Sequence, residues 1–180
     1  MKLLVVVDVQ KDFVTGALAN PEAEKRMPNV INKIAEANRN GDKILFTRDT
    51  HFDTYMETLE GKKLPVPHCI INTEGHDIIP EALAAAQGAD YYCTNKLTFG
   101  AEHIGEVAIN LCNGHIDEIE IIGFVSSICV ISNALLLRAY YPNTPITIDA
   151  SCCAGLAKED HDAAMTVAQC CQIDVINWER

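Results

Sequence analysis

The chain has 180 residues, of which 48% are hydrophobic and 22% charged, the balance of a globular protein long enough to bury a sizeable core. Its formal net charge of -11 argues against a nucleic-acid or anionic-membrane partner, because phosphates would be repelled. No apolar run approaches the roughly 18 residues that span a bilayer. The opening MKLLVVVDVQKDF is interrupted by Asp8 and lacks a small-residue cleavage site, so it reads as a strand and not as a signal peptide.

That first strand covers residues 3–7, a continuous apolar run ending at Asp8. Val30, Ile31, Ile34 and Ala37 recur at helical spacing and predict a helix over 29–38, closed by Asn40-Gly41. KILFT, 43–47, is the second strand. Residues 48–77 are irregular, polar and interrupted by Pro65 and Pro67, and a long loop inside a compact domain is often functional. Pro80 opens a short helix to about 87, and 90–94 forms the third strand. The fourth strand is 118–124, followed by a long apolar helix over 126–140. The fifth strand (145–150), a helix over 159–171 and the sixth strand (172–177) complete the chain. Strands apolar on both faces and separated by helices indicate an α/β fold of one domain, 1–180. It is a three-layer Rossmann-like arrangement with a mainly parallel six-stranded sheet and helices on both faces.

In such a sheet chemistry gathers beyond the carboxyl ends of the strands. Asp8 follows the first strand, Asp49 the second (within TRDTH), Lys96 the third and Cys129 the fourth. A thiol in the first turn of a helix and near a lysine is favoured as the nucleophilic thiolate, and a carboxylate can accept and return its proton. Each residue has a plainer reading: Cys129 as core, Asp8 as a turn residue, Lys96 as a solvated surface group. Their joint placement after three strands favours a site. The eight cysteines form no CxxC pair, and with no secretion signal they read as reduced thiols in the cytoplasm.

The segments VVDVQKDF, TRDTHFD, PHC (67–69), the Lys96 region and GFVSSICV occur in the order found in the isochorismatase-like cysteine hydrolases, and the chain resembles the nicotinamidases among them. That resemblance implies a hydrolase that opens a linear amide C–N bond, here nicotinamide to nicotinate and ammonia, with the NAD salvage that such a reaction serves. It implies an Asp8–Lys96–Cys129 triad and a thioester intermediate. It implies a cis Phe124–Val125 bond, with the Val125 and Cys129 N–H groups as oxyanion hole. A divalent metal, Zn or else Fe or Mn, falls to Asp49, His51 and His68, and a fourth ligand of some relatives falls on Glu57. Phe13 and Phe99 match the positions that contact a substrate ring, and family members are commonly homo-oligomers.

His76, His103, His115 and His161 match no family position and read as surface or structural groups. Two departures stand out: Pro65 replaces a tryptophan of some nicotinamidases, and Ser127 replaces an aspartate of many relatives. The 54–67 loop also differs, so the alternatives of another small amide, a carbamoyl compound or a vinyl ether stay open. A non-catalytic metal- or redox-binding protein is the alternative of another class.

Overall fold

The computed structural model describes residues 1–179. Six strands form one wholly parallel sheet in the order β3-β2-β1-β4-β5-β6: β1 (Lys2–Val7), β2 (Lys43–Asp49), β3 (Tyr91–Lys96), β4 (Glu118–Phe124), β5 (Ile146–Ala154) and β6 (Asp174–Ile176). From β1 the chain winds outward to β3, then returns to the other side of β1 for β4 to β6. The crevice between β1 and β4 is therefore the switch point of the topology.

Alternate residues of the strands feed two separate cores. On one face Leu3, Val5, Val7, Ile119 and Ile121 pack with α5 (Ile104–Leu111), α6 (Ile131–Tyr140) and α7 (Lys158–Cys170). On the other Leu4, Val6, Phe46 and Ile122 pack with α2 (Pro21–Asn40) and α4 (Pro80–Ala85). Burial on both faces is why the strands read as unbroken apolar runs. Two short helices, α1 (Lys11–Val14) and α3 (Leu59–Lys63), belong to the loops above the sheet. Among the described residues no helix is long and apolar enough to cross a membrane.

Several boundaries differ from the sequence expectation. The helix predicted over 29–38 starts at Pro21, where Asn20 caps it by accepting from the Glu22 N–H at 3.0 Å, and it carries Pro28 within it. Pro28 lies on the exposed side, and the helix continues through it. Helix α5 was not predicted; its Gly105 lies where a Cβ would meet the Tyr140 ring at 2.1 Å, so close packing against α6 outweighs poor propensity. β5 runs four residues beyond its predicted end at 150, to Ala154. The helix predicted over 126–140 is in two parts, a π-helical turn Ser126–Val130 and then α6.

Candidate active site

Four strand ends build the site, and the register fixes their heights. Val7 lies level with Thr47 on one side and Gly123 on the other, and Asp49 lies level with Lys96. Asp8, the residue after β1, has φ 48, a left-handed conformation that Asp tolerates better than most residues. There the chain leaves the sheet. Gly123 has φ 119, and a Cβ on it would meet the Val7 carbonyl oxygen at 2.1 Å, so only glycine lets β4 approach β1 so closely at this level. Directly after it the Phe124–Val125 peptide bond is cis, and Cys129 follows in the π-helical turn, a form that often marks functional sites.

The result is a buried charge cluster. Lys96 Nζ lies 2.8 Å from Asp8 Oδ2. It donates to Asp49 Oδ1 at 3.0 Å, to the Thr98 carbonyl at 3.1 Å and to Cys129 Sγ at 3.6 Å. The Lys96 and Asp8 side chains are both 0% exposed. Thr47 Oγ1 donates to Asp8 Oδ1 at 2.7 Å, and the Asp8 carboxylate is among the charges that act on the Cys129 thiol.

Burial alone would pull the Lys96 ammonium down, but the negative charges of Asp8 and Asp49, and that of Cys129 when it ionises, outweigh it and hold Lys96 well above its ordinary value. Burial pushes the Asp8 carboxyl up despite the opposing pull of Lys96. Burial, reinforced by Asp8, also drives the Cys129 thiol well above its ordinary value, against the opposing pull of Lys96. A helix start and a lysine favour the thiolate, but burial and the neighbouring Asp8 act against both. Asp8 stands beside the thiol, where a carboxylate can exchange a proton with it.

A second cluster shares Asp49 with the first. Ligand atoms of Asp49, His51, Glu60 and His68 all lie within 4.8 Å of one another. His51 Nε2 is 2.9 Å and His68 Nε2 3.4 Å from Asp49 Oδ2, and Glu60 Oε1 is 3.6 and 3.7 Å from the same two nitrogens. The His68 Nδ1–H donates to the Val66 carbonyl at 2.8 Å, which leaves Nε2 with a lone pair facing the cluster. Two imidazole nitrogens and two carboxylates form a donor set suited to a divalent transition ion. The Tyr55 ring packs on both histidines, with centroids at 4.7 and 5.1 Å. Glu57, the position on which a fourth ligand of some relatives falls, is exposed and outside this cluster; Glu60 stands there instead, brought round by α3.

The scaffold of this cluster was not read from the sequence. A bridge between His51 and Ile70 lays the 69–71 segment beside the end of β2, with the His51 N–H donating to the Cys69 carbonyl at 2.9 Å. Asp12 Oδ2 accepts from the Cys69 N–H at 2.7 Å, which anchors the residue next to His68. Gln10 is fully buried; its amide donates to the Asp49 and His76 carbonyls at 2.9 Å each and accepts from the Asp49 N–H at 2.7 Å. Gln10 and Asp12 lie inside VVDVQKDF, but nothing in their spacing names a distant partner.

Phe13 is buried with its ring 5.7 Å from that of His68, whereas Phe99 is 44% exposed on the loop after Lys96. His76 is buried, its Nε2 2.8 Å from Thr50 Oγ1, and His161 Nδ1 is 2.8 Å from Ser126 Oγ. His103 and His115 are exposed.

A family model described as "Isochorismatase domain" matches residues 2–180. The chain is similar to the nicotinamidase of Saccharomyces cerevisiae, 25% identical over 188 residues, covering 83% of this chain and 87% of that protein. Among solved structures it is similar to a pyrazinamidase/nicotinamidase from Streptococcus mutans, with a TM-score of 0.84 and 25% identity over 98% of this chain and 100% of that one. A likeness of fold extends to the pyrazinamidase of Pyrococcus horikoshii in complex with zinc, with a TM-score of 0.76 and 24% identity over 98% and 99% of the two chains. The chain belongs to the isochorismatase family.

Proposed function

We propose that this isochorismatase-family chain is a metal-assisted cysteine amidase that hydrolyses nicotinamide to nicotinate and ammonia. The carrying observation is that one buried ammonium, Lys96 Nζ, touches at once the carboxylate of Asp8, the sulfur of Cys129 and the Asp49 carboxylate of the ligand cluster. The similarity to curated and solved nicotinamidases supports the choice of substrate.

In the proposed reaction Asp8 takes the Cys129 proton as the sulfur attacks the amide carbonyl, while Lys96 keeps its charge beside both. The carbonyl oxygen becomes an oxyanion at the Val125 and Cys129 N–H groups, in the turn set by the cis bond. The C–S bond forms, the C–N bond breaks, and Asp8 returns the proton to the departing ammonia. Water then attacks the thioester with Asp8 as base, which releases nicotinate and restores the thiol. Asp49, His51, Glu60 and His68 would hold a divalent ion, with zinc favoured by the zinc-bound Pyrococcus neighbour and iron or manganese fitting the same donors. When bound, it supplies a Lewis-acid anchor for a donor atom such as the pyridine nitrogen. Phe13, beside His68, and Phe99 are assigned to the substrate ring.

The same proposal takes 1–180 as one domain that works as a homo-oligomer in the cytoplasm, a compartment that suits eight free thiols, and that serves NAD salvage. The test is ammonia release from nicotinamide by wild type and by Cys129→Ala, after chelation and after add-back of Zn²⁺, Fe²⁺ or Mn²⁺. Release that needs both the thiol and the metal is the expected result. No release from metal-loaded wild type would refute nicotinamide as substrate and turn the search to other small amides.

A further inference from the structure

Outside the residues already assigned, one fully buried polar side chain touches the reacting segment from the far side. Asn133 lies in α6, one turn after Cys129, and is 0% exposed. Its Nδ2 donates to the Cys129 carbonyl at 2.8 Å and to the Phe99 carbonyl at 3.2 Å, and its Oδ1 accepts from the Ala101 N–H at 2.9 Å. It thus joins two segments with no shared secondary structure. One is the π-helical turn that carries the sulfur. The other is the loop after β3, whose Thr98 carbonyl accepts from Lys96 Nζ at 3.1 Å.

A π-helical turn shifts its carbonyls out of the usual backbone ladder, and here side chains fill in. Ser132 Oγ donates to the Ile128 carbonyl at 2.6 Å, as Asn133 does to that of Cys129. The Ser132 bond stays within its own stretch of helix. Asn133 also holds the loop on both sides of Gly100, the residue whose Cβ would meet Leu136 at 2.6 Å. The loop therefore lies flush on α6, and the lysine at its start is set at a fixed distance from the sulfur.

We propose that Asn133 is a positioning residue that ties the loop following Lys96 to the nucleophile turn and so sets the 3.6 Å approach of the Lys96 ammonium to Cys129. The inference deepens the proposed cysteine chemistry and rests on it, but it does not depend on nicotinamide being the substrate. Lys96 is the cation in contact with this buried thiol, and a shift of a fraction of an ångström changes what that charge contributes.

The test compares wild type, Asn133→Ala and Asn133→Thr. A threonine hydroxyl can still bond the carbonyl four residues back, so the Thr variant keeps the helix link to Cys129 and loses the loop link. Iodoacetamide labelling of Cys129, followed by peptide mass spectrometry across a pH series, reads the thiol without any substrate. Both variants should label about tenfold more slowly at neutral pH, with the profile moved to higher pH, and should lose activity by a similar factor wherever the wild type is active. If Asn133→Ala does not fold, Asn133→Thr decides alone. Wild-type labelling rate and profile in folded Asn133→Thr would overturn the proposal, whatever the thermal midpoint does. Absence of nicotinamide turnover in wild type would refute the substrate assignment while leaving this comparison decisive.

Discussion

Asp8→Asn tests the shuttle most directly, because two of its readouts should move in opposite directions. The amide is nearly isosteric, and its oxygen can keep the 2.7 Å bond from Thr47 Oγ1. What disappears is the negative charge 2.8 Å from the Lys96 ammonium and, in the proposed reaction, the group that accepts the Cys129 proton. Turnover should fall by about 10²–10⁴, the usual contribution of a positioned acid–base, which corresponds to about 3–5 kcal/mol of barrier. Alkylation of Cys129 should instead speed up at neutral pH. Asp8 is one of the causes raising that thiol, so its removal moves the thiol down and leaves Lys96 at 3.6 Å without its nearest opposing charge.

Stability should fall as well. Breaking a buried ion pair costs about 3–5 kcal/mol when the remaining charge is stranded. Here Lys96 retains Asp49 at 3.0 Å and the Thr98 carbonyl at 3.1 Å, so the loss belongs at the lower end. A loss of about 3 kcal/mol lowers the melting midpoint of a chain this size by about 6–12 °C. Ammonia release, iodoacetamide labelling with peptide mapping, and a thermal melt measure the three quantities. Turnover within tenfold of wild type would refute the assignment of Asp8 as proton shuttle, and alkylation that slows in step with turnover would show that Asp8 acts on the thiol as a base more than as an opposing charge.

Glu60→Gln should weaken zinc binding by about 10–100-fold in titration calorimetry, whereas Glu57→Gln should leave it unchanged; the reverse would return the ligand role to Glu57. Gly123→Ala should lose about 3 kcal/mol or more in a denaturant melt, because the new Cβ meets the Val7 carbonyl oxygen at φ 119; a wild-type midpoint would contradict that approach. His161 gives a pH-dependent contribution with a definite sign. Burial lowers its folded-state value below the ordinary 6.5 of histidine, so the unfolded chain binds a proton that the folded chain excludes. Stability should therefore drop as pH falls from about 6.5 towards the depressed value, and in His161→Gln the melting midpoint should be flatter between pH 7 and 5. An equally steep slope in that variant would place the dependence elsewhere.

The strands were legible because burial on both faces leaves unbroken apolar runs, and the residues just past them followed from the rule that chemistry collects at carboxyl strand ends. Asp8, Asp49, Lys96 and Cys129 could be named by their places in sequence for that reason. The helix start at Pro21, helix α5 and the end of β5 were not, because each is decided by packing against distant elements, as when Gly105 accepts the Tyr140 ring. Glu60 and Asn133 carry no local signal at all: one is an acid in a charged turn, the other an amide in an apolar helix. The state of the thiol belongs to the same class. Sequence neighbours favour a thiolate at Cys129, but burial beside Asp8 pushes the thiol the other way. Local pattern thus determined which residues stand at the sheet edge. Tertiary structure alone decided their spacing, solvation and charge, because desolvation and through-space contacts depend on chain segments that sequence order does not bring together.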